Sequence, residues 1–138
     1  MLAAQLFAWE GKIVSTSSYI LYIEDERAAI DLVRTILDLA GHRVVGITSA
    51  AEGLAAMREA KPALLLLDLM MPDANGYDVY RAMKAEPALA DIPVIIITGR
   101  VLDSDRVIVN GLPPVEDYIT KPFKPDRLVR AVREVLGA

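Results

Sequence analysis

A chain of 138 residues with 54% hydrophobic and 25% charged residues has the size and composition of one globular domain that buries its own core, with no room for a second. A net charge of −4 without any Lys/Arg cluster excludes a surface built for direct nucleic-acid binding, and zero cysteines exclude a disulfide framework or a thiolate zinc site. No apolar run approaches the roughly 20 residues of a membrane span, and residues 2–9 have neither a preceding positive charge nor a following cleavage site, so the sequence reads as cytoplasmic with no membrane contact.

Residues 1–18 read as an N-terminal extension with no assigned role, lacking a strong period and set off by the polar break Ser15-Thr16-Ser17-Ser18. From Tyr19 onward, short apolar runs alternate with amphipathic stretches, the pattern of repeated strand-helix units around a parallel sheet. Tyr19–Ile23 is continuously apolar, as in a strand buried on both faces, and stops at Glu24-Asp25-Glu26. The spacing of Ile30, Val33, Ile36 and Leu37 predicts a helix that Gly41 stops. Residues 44–47 form a short second strand. Ser49-Ala50-Ala51-Glu52 has capping-box spacing and opens a helix that runs through Ala60 and ends at Pro62.

Residues 63–67 carry four consecutive leucines as a third strand and stop at Asp68. Pro72, Asn75 and Gly76 mark a loop, after which residues 77–85 are helical. Pro93 opens a fourth strand over 94–97, followed by Thr98-Gly99-Arg100. Residues 104–110 allow a short helix, cut off by Gly111 and Pro113-Pro114. Asp117–Thr120 is a weak fifth strand before Lys121-Pro122, and Pro125–Leu136 closes the chain as a helix with Leu128, Val129, Val132 and Leu136 inward. The expected fold is α/β: a doubly wound five-stranded parallel sheet with helices on both faces, in one domain over residues 19–138.

Ligands of such a sheet bind beyond the carboxyl ends of its strands. Glu24, Asp25, Asp68, Thr98 and Lys121 stand there, from four strands. Three crowded carboxylates repel one another, and a divalent cation relieves the conflict. Oxygen donors of this kind suit Mg²⁺ better than zinc. Beside the metal, Asp68 can attack phosphorus as a carboxylate nucleophile and form an acyl phosphate. Such transfer needs placed charge and donors around the phosphoryl oxygens, which Lys121 and Thr98 can supply. Singly, each residue has a plainer explanation: a strand-end acid as a helix cap, Thr98 bonded to its own backbone, Lys121 as a solvated charge, Tyr118 as core packing. Their joint placement favours a common site. His42 reads as an exposed cap after the helix stop, and Met70, Met71 and Met83 as loop or packing residues.

Over about residues 19–138 the sequence resembles the CheY-like receiver domain of two-component response regulators, whose fold is flavodoxin-like. The likeness rests on Glu24-Asp25, on Asp68-Leu69-Met70-Met71-Pro72 with Gly76 after it, on Thr98-Gly99, and on Tyr118-Ile119-Thr120-Lys121-Pro122-Phe123. It implies that Asp68 is the phosphoacceptor and Asp25 a direct Mg²⁺ ligand, with Glu24 at the metal site through water and the Met70 backbone carbonyl as a further ligand. Thr98 and Lys121 would bind the phosphoryl oxygens, and Tyr118 would change position with Thr98 on activation. The implied donor is a phosphohistidine on a histidine kinase or phosphotransfer protein, and the implied target is a downstream protein. The resemblance also allows a dimer on phosphorylation, and it implies self-catalysed phosphorylation and dephosphorylation rather than enzymatic turnover.

The family's longer fourth helix and Gly-Ala turn are replaced here by Asn110-Gly111-Leu112-Pro113-Pro114-Val115. No output domain follows the last helix, so the expected roles are a stand-alone partner-binding regulator, a phosphoryl relay, or a receiver fragment of a hybrid kinase or multidomain regulator. An aspartyl-nucleophile phosphohydrolase is the alternative. Those enzymes want Asp-x-Asp, whereas the residue two after Asp68 is Met70. A dinucleotide-binding protein would carry a Gly-x-Gly-x-x-Gly after the first strand, which is missing. Met70 and Arg100 flank the site as modulators: a weakly accepting apolar side chain that keeps attacking water out, and a cation for the phosphoryl oxygens, together predicting slow self-dephosphorylation.

Overall fold

The structure, a computed structural model, describes residues 6–9, 12–15, 19–72, 74–99 and 114–137. At the N-terminal end, β1 (Leu6–Trp9) pairs antiparallel with β2 (Lys12–Ser15), a ladder in the region expected to carry no strong period. Four-residue strands span only two alternations, too few for periodicity to register. The loop expected after Asp68 likewise contains a short antiparallel ladder, β6 (Met70–Met71) on β7 (Ala74–Asn75).

The main body is built from β3 (Tyr19–Ile23), α1 (Arg27–Leu39), β4 (Arg43–Ile47), α2 (Ala50–Glu59), β5 (Leu64–Leu67), α3 (Gly76–Ala85), β8 (Val94–Thr98), β9 (Asp117–Thr120) and α4 (Pro125–Leu136). Its five strands form a parallel sheet in the order β4-β3-β5-β8-β9. From β3 the chain steps outward to β4, then crosses back to β5 and continues to the other edge. The direction therefore reverses between β3 and β5, which is the switch point where such sheets bind ligands. This is the doubly wound, flavodoxin-like arrangement. The expected helix over 104–110 lies outside the described residues.

Strand pleating explains the two layers of helices. Ile20, Tyr22, Leu64, Leu66, Ile95 and Ile97 face one side, where they pack with α1 and α4 through Ile30, Val33, Leu37, Leu128, Ala131 and Val132. Their strand neighbours Leu21, Ile23, Leu65, Leu67, Val94 and Ile96 face the other side, against α2 and α3 through Ala56, Met57, Val79, Tyr80 and Met83. Runs such as Leu64–Leu67 are apolar at every position because both faces are covered. Truncating any one of these fully buried leucines would cost about 2–5 kcal/mol, against about 1 kcal/mol for a helix cap, so the double-faced core sets the architecture.

Local signals place the helix ends. Ser49 Oγ accepts from the Glu52 N–H at 3.3 Å, the first half of the expected capping box. Asn75 Oδ1 accepts from the Tyr77 N–H at 2.8 Å and starts α3. After α1, Gly41 adopts φ +91, a left-handed conformation that costs glycine nothing, and the His42 N–H returns to the Leu37 carbonyl at 2.8 Å. His42 is half-buried there, not the exposed cap that the sequence suggested.

Candidate functional site

The parallel register brings four strand ends level. Ile23 pairs with Leu67, so Glu24 and Asp68 follow side by side, and Thr98 pairs with Thr120, so Lys121 follows beside Thr98. Backbone bonds carry the alignment past the strands: the Asp68 N–H donates to the Ile23 carbonyl at 3.2 Å, and the Lys121 N–H to the Thr98 carbonyl at 2.8 Å. The Lys121–Pro122 peptide is cis.

Asp68 and Glu24 are 4% and 1% exposed, and with Thr98 they make up the buried polar and charged side chains among the described residues. Lys121 Nζ donates to Glu24 Oε2 at 2.6 Å and to Asp68 Oδ2 at 3.3 Å, bridging the two acids. Asp68 Oδ1 accepts from the Met70 N–H at 3.0 Å. Glu24 is held further by the Tyr22 hydroxyl, which donates to Oε2 at 3.0 Å, and by the Glu26 N–H, which donates to Oε1 at 3.2 Å just ahead of α1. Glu24, Asp25 and Asp68 each offer a carboxylate oxygen within 4.8 Å of the others, with Asp25 nearest solvent.

One ammonium does not balance three carboxylates. Burial pushes the Glu24 carboxyl up to about 7; the hydrogen bond with Asp68 and the charge of Asp68 push the same way, while Lys121 pulls it down. Burial acts to lower the Lys121 ammonium, but the Glu24 hydrogen bond and the two acids overcome it and leave its pKa raised. The Tyr22 hydroxyl is raised far beyond its ordinary range, by burial first and by Glu24 second, and so remains a donor. An all-oxygen cluster with surplus negative charge, one member open to solvent, fits a hard divalent cation such as Mg²⁺. Thr98 adds a second sign of an incoming ligand. Among the described residues, its Oγ1 is the buried side-chain oxygen without a hydrogen-bond partner, at the end of the strand next to β5.

The structure thus gathers Glu24, Asp25, Asp68 and Lys121 by direct proximity and sets Thr98 on the adjoining strand end. Tyr118 is half-buried on β9, packs at the margin of the α2–α3 core layer, and lines a surface cavity of about 360 Å³ with Pro114 and Arg127. Met70 turns its side chain outward at 55% exposure. Arg100 lies outside the described residues. The sequence did not single out Tyr22 or Glu26 as partners of Glu24. The signal was available for Tyr22, because residues two apart on a strand share a face.

Gly76 is a structural support of the site. A Cβ on it would sit 2.4 Å from the Asp68 carbonyl oxygen and 2.7 Å from the Leu69 Cα, both backbone atoms with little freedom to yield. Gly76→Ala is expected to lower stability by about 1–3 kcal/mol through overpacking, read from the urea midpoint, and to displace the Asp68 loop. An unchanged midpoint would show that the loop gives way freely.

Residues 20–133 match the response regulator receiver domain family. The chain belongs to that family. It is 35% identical over 114 residues to the DNA-binding response regulator MtrA of Mycobacterium tuberculosis, covering 83% of this chain and 48% of MtrA. The chain spans about half the length of the curated relatives it matches. Among solved structures, a CheY-like receiver domain from Methanospirillum hungatei is 29% identical with a TM-score of 0.76, covering 87% of this chain and 94% of that one. A receiver domain of a sensor histidine kinase from Pseudomonas aeruginosa, crystallised with magnesium coordinated in its active-site cleft, is 25% identical with a TM-score of 0.77, covering 88% and 98%. The protein is a two-component signalling domain, and among its described residues no helix is long and apolar enough to cross a membrane.

Proposed function

We propose that Asp68 accepts a phosphoryl group in a Mg²⁺-dependent reaction and that the phosphorylated aspartate switches the binding of a downstream protein. The observation that carries this is the pairing of a buried carboxylate bridged to Lys121 with a buried, unpartnered Thr98 hydroxyl on the neighbouring strand end. Asp25, Asp68 and the Met70 backbone carbonyl would hold the metal, with Glu24 beside them. When bound, Mg²⁺ supplies positive charge against the carboxylates and the phosphoryl oxygens. The donor is a phosphohistidine on a histidine kinase or phosphotransfer protein, which places the reaction in the cytoplasm. An Asp68 carboxylate oxygen forms the new P–O bond while the P–N bond of the donor breaks and the imidazole takes a proton.

Lys121 then turns from Asp68 Oδ2 to a phosphoryl oxygen, and the Thr98 hydroxyl donates to another. Movement of Thr98 toward that oxygen leaves space for Tyr118 to follow, which links the site to the β9 surface. The domain catalyses its own phosphorylation and dephosphorylation and turns over no separate substrate. Met70 and Arg100 slow the second reaction, and phosphorylation permits a dimer. Residues 1–18 form an extension outside the receiver unit of residues 19–138.

The test is intact-protein mass spectrometry after incubation with acetyl phosphate. One phosphoryl group per chain is expected with Mg²⁺ and none after chelation. Uptake that ignores chelation would remove the metal from the reaction, and no uptake under either condition would remove Asp68 as acceptor.

A further inference from the structure

Tyr22 precedes Glu24 by two residues, so the pleat directs both side chains to one side of β3. The tyrosine is fully buried, and its ring lies in the layer packed against α1 and α4, among Ile20, Leu66 and Ile97. Aliphatic side chains fill that layer at the equivalent strand positions, so packing alone does not call for a hydroxyl there. A buried hydroxyl is unfavourable unless it has a specific partner. Its partner is Glu24 Oε2, at 3.0 Å.

The same Glu24 oxygen accepts from Lys121 Nζ at 2.6 Å, and the two donors differ in freedom. Lys121 is divided between Glu24 and Asp68, on a flexible stem, and phosphoryl transfer draws it toward the new oxygens. Glu24 then remains as a buried carboxylate that has lost its ammonium partner. Tyr22 cannot follow that movement, because its ring is locked in the core. We propose that Tyr22 is a positioning residue whose hydroxyl anchors the Glu24 carboxylate at the acidic cluster, so that Lys121 is free to leave Glu24 for the incoming phosphoryl group. This role rests on the function proposed above and adds a residue to it that touches neither metal nor phosphorus.

The experiment measures Mg²⁺ affinity by calorimetry, and beryllofluoride capture at saturating Mg²⁺ by NMR, on the full chain. The proteins compared are the wild type, Tyr22→Phe, Tyr22→Ile, Glu24→Ala and the Tyr22→Phe/Glu24→Ala pair. Tyr22→Phe is expected to weaken Mg²⁺ binding about tenfold, at the lower end for residues that orient a metal site from behind, and to weaken beryllofluoride capture as well. Tyr22→Ile, which replaces the ring with a good strand former, should show the same loss, so the result does not depend on one variant folding. In the Glu24→Ala background, Tyr22→Phe should change neither quantity, since its only route to the site is gone. Wild-type affinity in both Tyr22 variants, or a Tyr22→Phe effect of equal size without Glu24, overturns the anchoring role while leaving the phosphoacceptor function standing. A wild-type protein that takes up neither Mg²⁺ nor beryllofluoride overturns both.

Discussion

Asp68→Asn is expected to abolish phosphoryl uptake from acetyl phosphate at every Mg²⁺ concentration. The amide is neutral and a poor nucleophile, and removing the attacking group from a catalytic site typically costs ~10⁶ in rate. The substitution nearly preserves shape, so the loop bond from the Met70 N–H to Oδ1 has an acceptor available as before. The loss is therefore chemical. Stability should move the other way at neutral pH. Glu24 has a folded pKa raised above its ordinary value, so its contribution is fully present below about pH 4.5 and is lost as pH rises through about 7. Asp68 is one of the causes of that rise. With the neighbouring charge gone, Glu24 falls back toward its ordinary range and less stability is lost above pH 7. Urea denaturation at pH 7.5 should find Asp68→Asn at least as stable as the wild type. A folded Asp68→Asn protein that still takes up one phosphoryl group would end the assignment.

Lys121→Ala should slow phosphorylation about 100-fold, the usual consequence of removing one donor to a developing anion in a partly dry site. Acetyl phosphate kinetics followed by mass spectrometry would read this directly, and a wild-type rate would return Lys121 to the status of a surface charge. Its effect on folding has the opposite sign to that of Asp68→Asn. Lys121 pulls the Glu24 carboxyl down and receives a raised pKa in return, a contribution present below its ordinary value and lost only in strongly alkaline solution. Without the lysine, Glu24 rises beyond about 7, and two acids face each other with no cation between them. Fully buried pairs lose more, but Lys121 is 27% exposed, so the expected destabilisation at pH 7.5 is about 2 kcal/mol. The gap from wild type should narrow as pH falls toward 4.5, where Glu24 takes up a proton in either protein.

The fold was legible wherever burial on two faces wrote a continuous apolar run. β3, β9 and α4 match their expected bounds, and β4, β5, β8 and α3 differ by a residue at one end. Site residues were legible for a related reason: a charged or hydroxylated side chain directly after such a run has to stand at the strand end, and a parallel sheet puts those ends together. Three features were harder to see. The hairpin of β1 and β2 is too short for its pattern to rise above chance. The ladder of β6 and β7 sits within turn chemistry and involves two residues on each side. The hydrogen bond of Tyr22 to Glu24 was hidden because tyrosine counts as one more large apolar residue in a strand, and only the pleat shows that its polar tip meets the acid two positions on.

The central ion pair joins residues 97 apart in the sequence, Glu24 directly after the first strand of the sheet and Lys121 after its last. Contacts of such long range form late, because closing so large a loop is repaid only when the intervening strands are already paired. The Asp68 carboxylate, the Lys121 ammonium and the hydroxyl of Thr98 therefore have no existence as a group in a chain that has formed only part of its sheet. If Asp68 is the acceptor, a nascent or partly unfolded copy would have nothing with which to take a phosphoryl group from its donor. On the proposed function the domain would then admit a signal only after its folding is complete, and the phosphorylated pool would consist of fully folded chains.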